Sequence, residues 1–172
     1  MTARLDAIKA LREKTSASLN DVRAALESAG GDEAKALALL RQRGAQIAEK
    51  RRGRATGQGR VEAYVHHDGR MGALVEVDCE TDFVARTPEF VQFCRDLAMQ
   101  VAAKSPQYLR SEDVPAGDKA DAEGLKELCL LGQPFIKDEH SSVHDLLQAL
   151  IAKTGENIVI RRFVKFGVGE AS

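Results

Sequence analysis

Four carboxylates at alternate positions, Glu76, Asp78, Glu80 and Asp82, form the densest cluster of potential metal or acid–base ligands in the chain. On a strand, side chains two apart share a face, and oxygen ligands gathered that way suit hard divalent cations. His66 and His67 lie across the adjoining turn and could join them. No acidic loop with EF-hand spacing and no His-Glu-x-x-His pattern accompanies them, so a solvated acidic sheet face is the favoured reading and no metal is expected. Cys79, Cys94 and Cys129, with four histidines, are the candidates for nucleophilic catalysis. Each cysteine falls among apolar neighbours at core spacing, where a thiol behaves as an inert small hydrophobe. The nucleophile-elbow, P-loop and dinucleotide fingerprints are missing, and Gly57-Gln58-Gly59 lacks both a third glycine and a preceding strand. Neither an enzyme nor a cofactor is expected.

Two segments bear on binding rather than catalysis. The basic run Lys50-Arg51-Arg52-Gly53-Arg54 could grip phosphate, but it carries no aromatic on which a base would stack and reads as a helix end and linker. Cys79-Glu80-Thr81-Asp82-Phe83-Val84-Ala85-Arg86 is a loop or short turn that holds Phe and Val amid charge. Phe83 has two available fates. It tucks back into the core, or it stands out as an apolar wedge that fills a partner's pocket.

The elements that must position these residues follow from pattern. The chain has 172 residues, 44% of them apolar, which fits a folded protein with one main domain and a small attached module. Its formal charge of −1 argues against a protein that coats nucleic acid. No apolar run approaches the roughly 20 residues of a membrane helix, and Arg4, Asp6 and Lys9 interrupt any secretory signal. With three cysteines and no Cys-x-x-Cys pair, the composition points to a reducing cytoplasm.

Charge divides the chain. Residues 1–54 hold 12 basic and seven acidic side chains, a net +5, whereas the remainder holds 13 and 19, a net −6. Such asymmetry suggests modules, placed at 1–52 and 60–172 with a linker at 53–59. The first module reads as three helices. Leu5, Ile8 and Leu11 stripe the first, which ends near Lys14-Thr15. Ser18 caps the second with Asp21 three residues on, and its stripe of Val22, Ala25 and Leu26 stops at Gly30-Gly31. Asp32 caps the third, with Ala36, Leu37 and Leu40 inward and an expected end at Gly44.

In the second module, Val61, Ala63 and Val65 alternate with Glu62, Tyr64 and His66, the pattern of a half-buried strand. Asp68-Gly69 turns it into a return strand with Ala73, Val75, Val77 and Cys79 on one face. Thr87-Pro88 opens a helix striped by Phe90, Phe93, Cys94, Leu97 and Val101, ending at Ser105-Pro106. A further helix spans about Lys119 to Leu131, and Ser142 caps another that buries Val143, Leu146, Leu147, Leu150 and Ile151. A strand follows from Asn157 to Phe166. The expected class is α+β, a small antiparallel sheet packed with helices beside a three-helix module.

Val77-Asp78-Cys79-Glu80-Thr81-Asp82-Phe83-Val84 resembles the signature of the bacterial elongation factor Ts family, guanine-nucleotide exchange factors for elongation factor Tu. Further matches run in order along nearly the whole chain. They are Leu11-Arg12-Glu13-Lys14-Thr15, Asp21 through Ala25-Leu26, Gly30-Gly31-Asp32, Arg43-Gly44-Ala45, Leu131 through Asp138, and Gly155 through Phe163. The chain departs from the family at Ser16-Ala17-Ser18-Leu19-Asn20, where members often have a Gly-Ala-Gly-Met-Met pattern. It has one core and no coiled-coil heptads, like the short members.

The resemblance implies a ubiquitin-associated-like fold for the first module and a homodimer that supplies two cores. It implies elongation factor Tu as partner, in its GDP-bound and nucleotide-free forms, with no nucleic acid or membrane contact. Thr81, Asp82, Phe83 and Val84 would form the contact segment. Phe83 would insert between helices of the nucleotide-binding domain, while Asp82 presses on a helix N-terminus, where a carboxylate is favoured. Leu11, Leu19 and Asp21 match first-module positions that dock on the same domain. The competing classes are a nucleic-acid module using the +5 segment, which requires salt-sensitive binding, and a metal hydrolase, which requires divalent-dependent turnover.

Overall fold

The computed structural model describes residues 5–15, 17–117 and 121–170. Arg4, Ser16 and Lys119, which entered the sequence reading, lie outside the described residues. The architecture is α+β, with three helices at the N-terminal end followed by a region containing an antiparallel sheet. The chain divides into two compact units, one of residues 1–54 with 145–157 and the other of residues 55–144 with 158–172.

In the first unit, α1 (Leu5–Thr15), α2 (Leu19–Ser28) and α3 (Glu33–Arg51) enclose a core of Ile8, Leu11, Val22, Ala25, Leu26, Ala36 and Leu40. The caps fall where side-chain chemistry requires them. The Ser18 hydroxyl accepts from the Asp21 amide at 3.2 Å, and the Asp32 carboxylate accepts from the Lys35 amide at 3.0 Å. That bond to an amide at the helix start holds the Asp32 carboxyl below its ordinary value.

The third helix does not end at Gly44; it runs seven residues further, to Arg51. Gly44 is buried, and a Cβ there would lie 3.9 Å from both Ala152 Cβ and the Gln148 carbonyl of α7 (Val143–Thr154). Both are ordinary van der Waals distances, so a side chain would fit there and the helix passes through the glycine while carrying its intrinsic cost of about 1 kcal/mol. The actual stop is Gly53, at φ +83°, just past the Arg52 cap.

In the second unit, β1 (Gln58–Val65), β2 (Met71–Cys79) and β5 (Ile158–Gly167) form an antiparallel sheet in the order β1-β2-β5. The Asp68-Gly69 turn joins the first two, with Gly69 at φ +67° and the Arg70 amide donating to the Asp68 carboxylate at 2.9 Å. From β2, Ala73, Val75, Val77 and Cys79 enter the core. They share it with Phe90, Cys94, Leu97 and Val101 of α5 (Pro88–Lys104), which packs on β1 and β2.

The first strand alternates as its pattern requires, but with the opposite sense. Val61 and Val65 are exposed, Val61 by 65%, while Arg60, Glu62 and Tyr64 take the more covered side. Ion pairing makes this tolerable, because the Glu62 carboxylate pairs with Arg60 beside it and lies 3.8 Å from Arg95 of α5.

The helix expected over 119–131 is shorter. Here α6 spans Ala122–Leu128, and Leu130–Gly132 forms a 3-10 turn. The backbone at 128–131 instead bonds the preceding loop. The Gln107 and Tyr108 amides donate to the Leu128 carbonyl, and the Leu130 amide donates to the Tyr108 carbonyl. A small ladder of β3 (Pro134–Phe135) and β4 (Asp138–Ser142) follows, held by two buried amides. Gln100 Nε2 donates to Gln133 Oε1 and to the Pro134 carbonyl, each at 3.1 Å, and its Oε1 accepts from the Ile136 amide at 2.8 Å.

Candidate partner-binding site

The segment after β2 is a single helical turn, α4 (Asp82–Ala85), set between the strand and α5. Thr81 caps it, its hydroxyl oxygen accepting from the Val84 amide at 3.4 Å. Thr87 closes it from the other side, donating its hydroxyl to the Val84 carbonyl at 2.9 Å while accepting from the Phe90 amide at 3.3 Å. One threonine therefore ends the turn and starts α5. Val84 and Ala85 are buried, which seats the turn on the core. Phe83 faces the other way and is 82% exposed.

That exposure decides between the two fates open to Phe83. Phe90, seven residues on, is fully buried, so the core around this corner is already filled by an aromatic. Leaving a phenyl ring in water forfeits about 1.5–3 kcal/mol of burial. On a braced turn it has the form of an anchor waiting for a pocket. Beside it the Asp82 carboxylate lies 3.0 Å from Arg86, one helical turn on, in an exposed pair.

Two further carboxylates of the acidic row, Glu76 and Asp78, are also matched with arginine. Glu76 lies 2.5 Å from Arg162 Nε, and Asp78 lies 2.8 Å from Arg161 Nε. Adjacent residues on a strand normally face opposite ways. Here the ladder skips from Glu76↔Arg162 to Val77↔Ile160, so Arg161 is the bulged residue and can serve the same acidic row. No group of three or more potential metal ligands occurs among the described residues. The His66 and His67 rings touch at a tilt of 58°, with centroids 4.2 Å apart, and the Tyr64 hydroxyl lies 3.0 Å from His66 Nδ1.

The thiols are all buried and free of disulfides. Burial pushes Cys94 up to about 12, with the Glu62 and Cys79 charges adding to the rise and Arg60 opposing it. Burial likewise raises Cys129, helped by Asp113 and Glu112. Both stay protonated at neutral pH, which makes them poor nucleophiles.

The three first-module residues have different placements. Leu19 is 46% exposed at the start of α2. Leu11 is only 2% exposed, inside the bundle core, and presents almost no surface. Asp21 is already engaged, its carboxylate accepting from the Ser18 hydroxyl at 2.7 Å and lying 2.9 Å from Arg43 of α3. Sequence reasoning did not assign the arginine partners. Asp82 and Arg86 were legible from their i, i+4 spacing once the segment is read as a helix. Asp21–Arg43 and Asp78–Arg161 join elements far apart in the chain and left no local signal.

The fold is α+β, and its braced turn presents a large aromatic to solvent in the form that protein-docking anchors take. Sequence comparison supplies the particular family. The model of the family described as Elongation factor TS matches residues 5–123. The protein named Elongation factor Ts from Carboxydothermus hydrogenoformans is 49% identical over 190 aligned positions, covering 95% of this chain and 88% of the relative. Those of Rubrobacter xylanophilus and Thermotoga petrophila are 45% and 46% identical, and each alignment covers at least 96% of both chains. The chain belongs to the elongation factor Ts family.

Proposed function

We propose that this protein is the guanine-nucleotide exchange factor of translation elongation in its cell's cytoplasm, binding elongation factor Tu and promoting GDP release. The observation that carries the reading is Phe83, 82% exposed on a turn whose backbone is tied on both sides. Phe83 inserts between helices of the partner's nucleotide-binding domain. Asp82 moves from its exposed pairing with Arg86 to a helix N-terminus, where the macrodipole favours a carboxylate. Thr81 and Val84 hold the turn, and Leu19 adds a contact from the first unit. Leu11 supports that unit from its core, and Asp21 supports it through its pairs with Ser18 and Arg43. The displaced helices loosen the site that holds Mg²⁺ and the nucleotide phosphates.

No chemical step is required of the factor. It binds nucleotide-free partner more tightly than GDP-bound partner, and reciprocity then weakens GDP binding by the same factor. Each tenfold weakening corresponds to about 1.4 kcal/mol of that difference. Mixing the protein with GDP-loaded elongation factor Tu in a chelator, followed by size exclusion, should yield a nucleotide-free complex that excess GDP dissociates. A complex indifferent to GDP would reject the exchange role.

The acting form in this proposal is a homodimer. The outer sheet face exposes Val61 and Val65 of β1, Leu74 of β2, and Val164 and Phe166 of β5, with Phe166 64% exposed. Cross-strand neighbours Ala63↔Leu74, Leu74↔Val164 and Gly72↔Phe166 make this one continuous patch. Two such faces stack as a sandwich about 10 Å apart. The Glu76 and Asp78 row with its two arginines sets both charge signs beside the patch, as a self-complementary contact requires. Light scattering should give twice the chain mass for the wild type and the chain mass for Phe166→Asp. A monomeric wild type at micromolar concentration would remove the dimer.

A further inference from the structure

Phe83 is useful as a contact to the degree that its backbone is fixed beforehand, because ordering a mobile turn on docking subtracts from affinity. The ties already described come from Thr81 within the turn and from Thr87 at the start of α5. A third comes from the sheet. The Cys79 thiol, fully buried at the end of β2, donates to the Thr81 carbonyl at 3.1 Å. That same carbonyl accepts the Ala85 amide at 3.3 Å, the bond that closes the turn of α4. A carbonyl oxygen has two lone pairs, so the strand thiol and the helical amide can share it. The direction in which Phe83 leaves the turn is thereby referred to the sheet, the most extensively paired part of the second unit.

We propose that Cys79 is a positioning residue for exchange: its thiol fixes the Thr81 carbonyl and, through it, the orientation of Phe83 toward the partner. The inference rests on the exchange reading above and adds a residue that acts without touching the partner. Its chemistry is a hydrogen bond alone, with no oxidation or nucleophilic step.

The test is a set of GDP-release titrations on the full chain with Cys79→Ala, Cys79→Ser and Phe83→Ala, singly and combined, with melting temperatures measured alongside. Cys79→Ala should raise the factor concentration needed for half-maximal exchange about fivefold, the scale of one modest hydrogen bond, at an unchanged maximal rate. Cys79→Ser keeps a donor and should recover much of that loss. A serine hydroxyl buried there without a bond would be worse than alanine. Serine performing no better than alanine would therefore overturn the proposal.

In the Phe83→Ala background, removing the thiol should change exchange by less than about twofold, since the group being positioned is gone. An equal cost in both backgrounds would assign Cys79 to general stability and overturn the positioning role. If Phe83→Ala alone exchanges at the wild-type rate, the wedge itself fails and this role falls with it. If Phe83→Ala is slow while Cys79→Ala is normal, only this inference fails. Cys79→Val removes the donor while keeping an apolar, strand-favouring side chain larger by about one methyl, and it answers the same question if the alanine variant does not fold.

Discussion

The two regions offered for docking present their residues in opposite ways. In α4, the buried side chains Val84 and Ala85 act as the seat, and Phe83, 82% exposed, is the proposed contact. In the three-helix unit Leu11, one of the residues matched to the family's docking positions, is 2% exposed and belongs to the core, while Leu19 stands at the surface. The difference teaches that matching a motif and touching a partner are separate properties. A leucine at the centre of a small bundle shapes a docking surface without being part of it. A phenylalanine left 82% exposed on a turn seated by Val84 and Ala85 faces solvent rather than the core.

Substitutions at Leu11 should break that contrast most strongly. Removing a buried leucine costs about 2–5 kcal/mol, and a bundle this small has little to spare. Leu11→Ala should therefore lower the denaturation midpoint of the first unit, as hydrogen exchange of α1–α3 amides would report. Protection unchanged from wild type would show that Leu11 is not core. Next in size, Asp82→Ala should slow exchange roughly three- to fivefold, the range of a carboxylate at a helix N-terminus, while leaving complex formation detectable. A wild-type rate would reject the helix-end role.

Leu19→Ala sharpens the same comparison from the surface side. Its stability should change by less than about 0.5 kcal/mol, and its affinity for elongation factor Tu should fall about two- to threefold. A large loss of stability instead would make Leu19 a second Leu11.

A separate effect concerns pH. The folded Cys94 thiol ionises near 12 against 9.0 for the ordinary thiol. Its stabilisation is complete below pH 9 and is lost as pH rises toward 12, because the unfolded chain ionises first. Urea midpoints should fall between pH 9 and 11 in the wild type and fall less in Cys94→Ala. Equal slopes would show that Cys94 is not shielded.

Much of the frame was legible because local chemistry and tertiary structure agree. Ser18 with Asp21, Asp32, and Thr87-Pro88 sit where helices start, and Asp68-Gly69 sits where the hairpin turns. Gly44 reads as a stop, yet the helix runs past it to Arg51. The other misreadings share a cause, which is that a distant partner decided the outcome. The apolar side of β1 reads as inward until Arg95 on α5 is seen near Glu62. The polar stretch Asp138-Glu139-His140-Ser141-Ser142 gives no strand signal, and its ladder depends on the Gln100 and Gln133 amides.

The site was legible as a segment but not as a surface. Four residues of α4 are too few for a periodic pattern to say which side faces water. The exposure of Phe83 follows from where Phe90 and the inner face of β2 fill the core, and that is settled in three dimensions.

The central claim is tested most directly by the rate at which fluorescent GDP leaves elongation factor Tu, with wild-type protein and with Phe83→Ala at matched melting temperature. The account predicts strong acceleration by the wild type and a loss on the order of a hundredfold in the variant, from a buried aromatic anchor worth about 2–3 kcal/mol. A folded Phe83→Ala that releases GDP as fast as the wild type would contradict it.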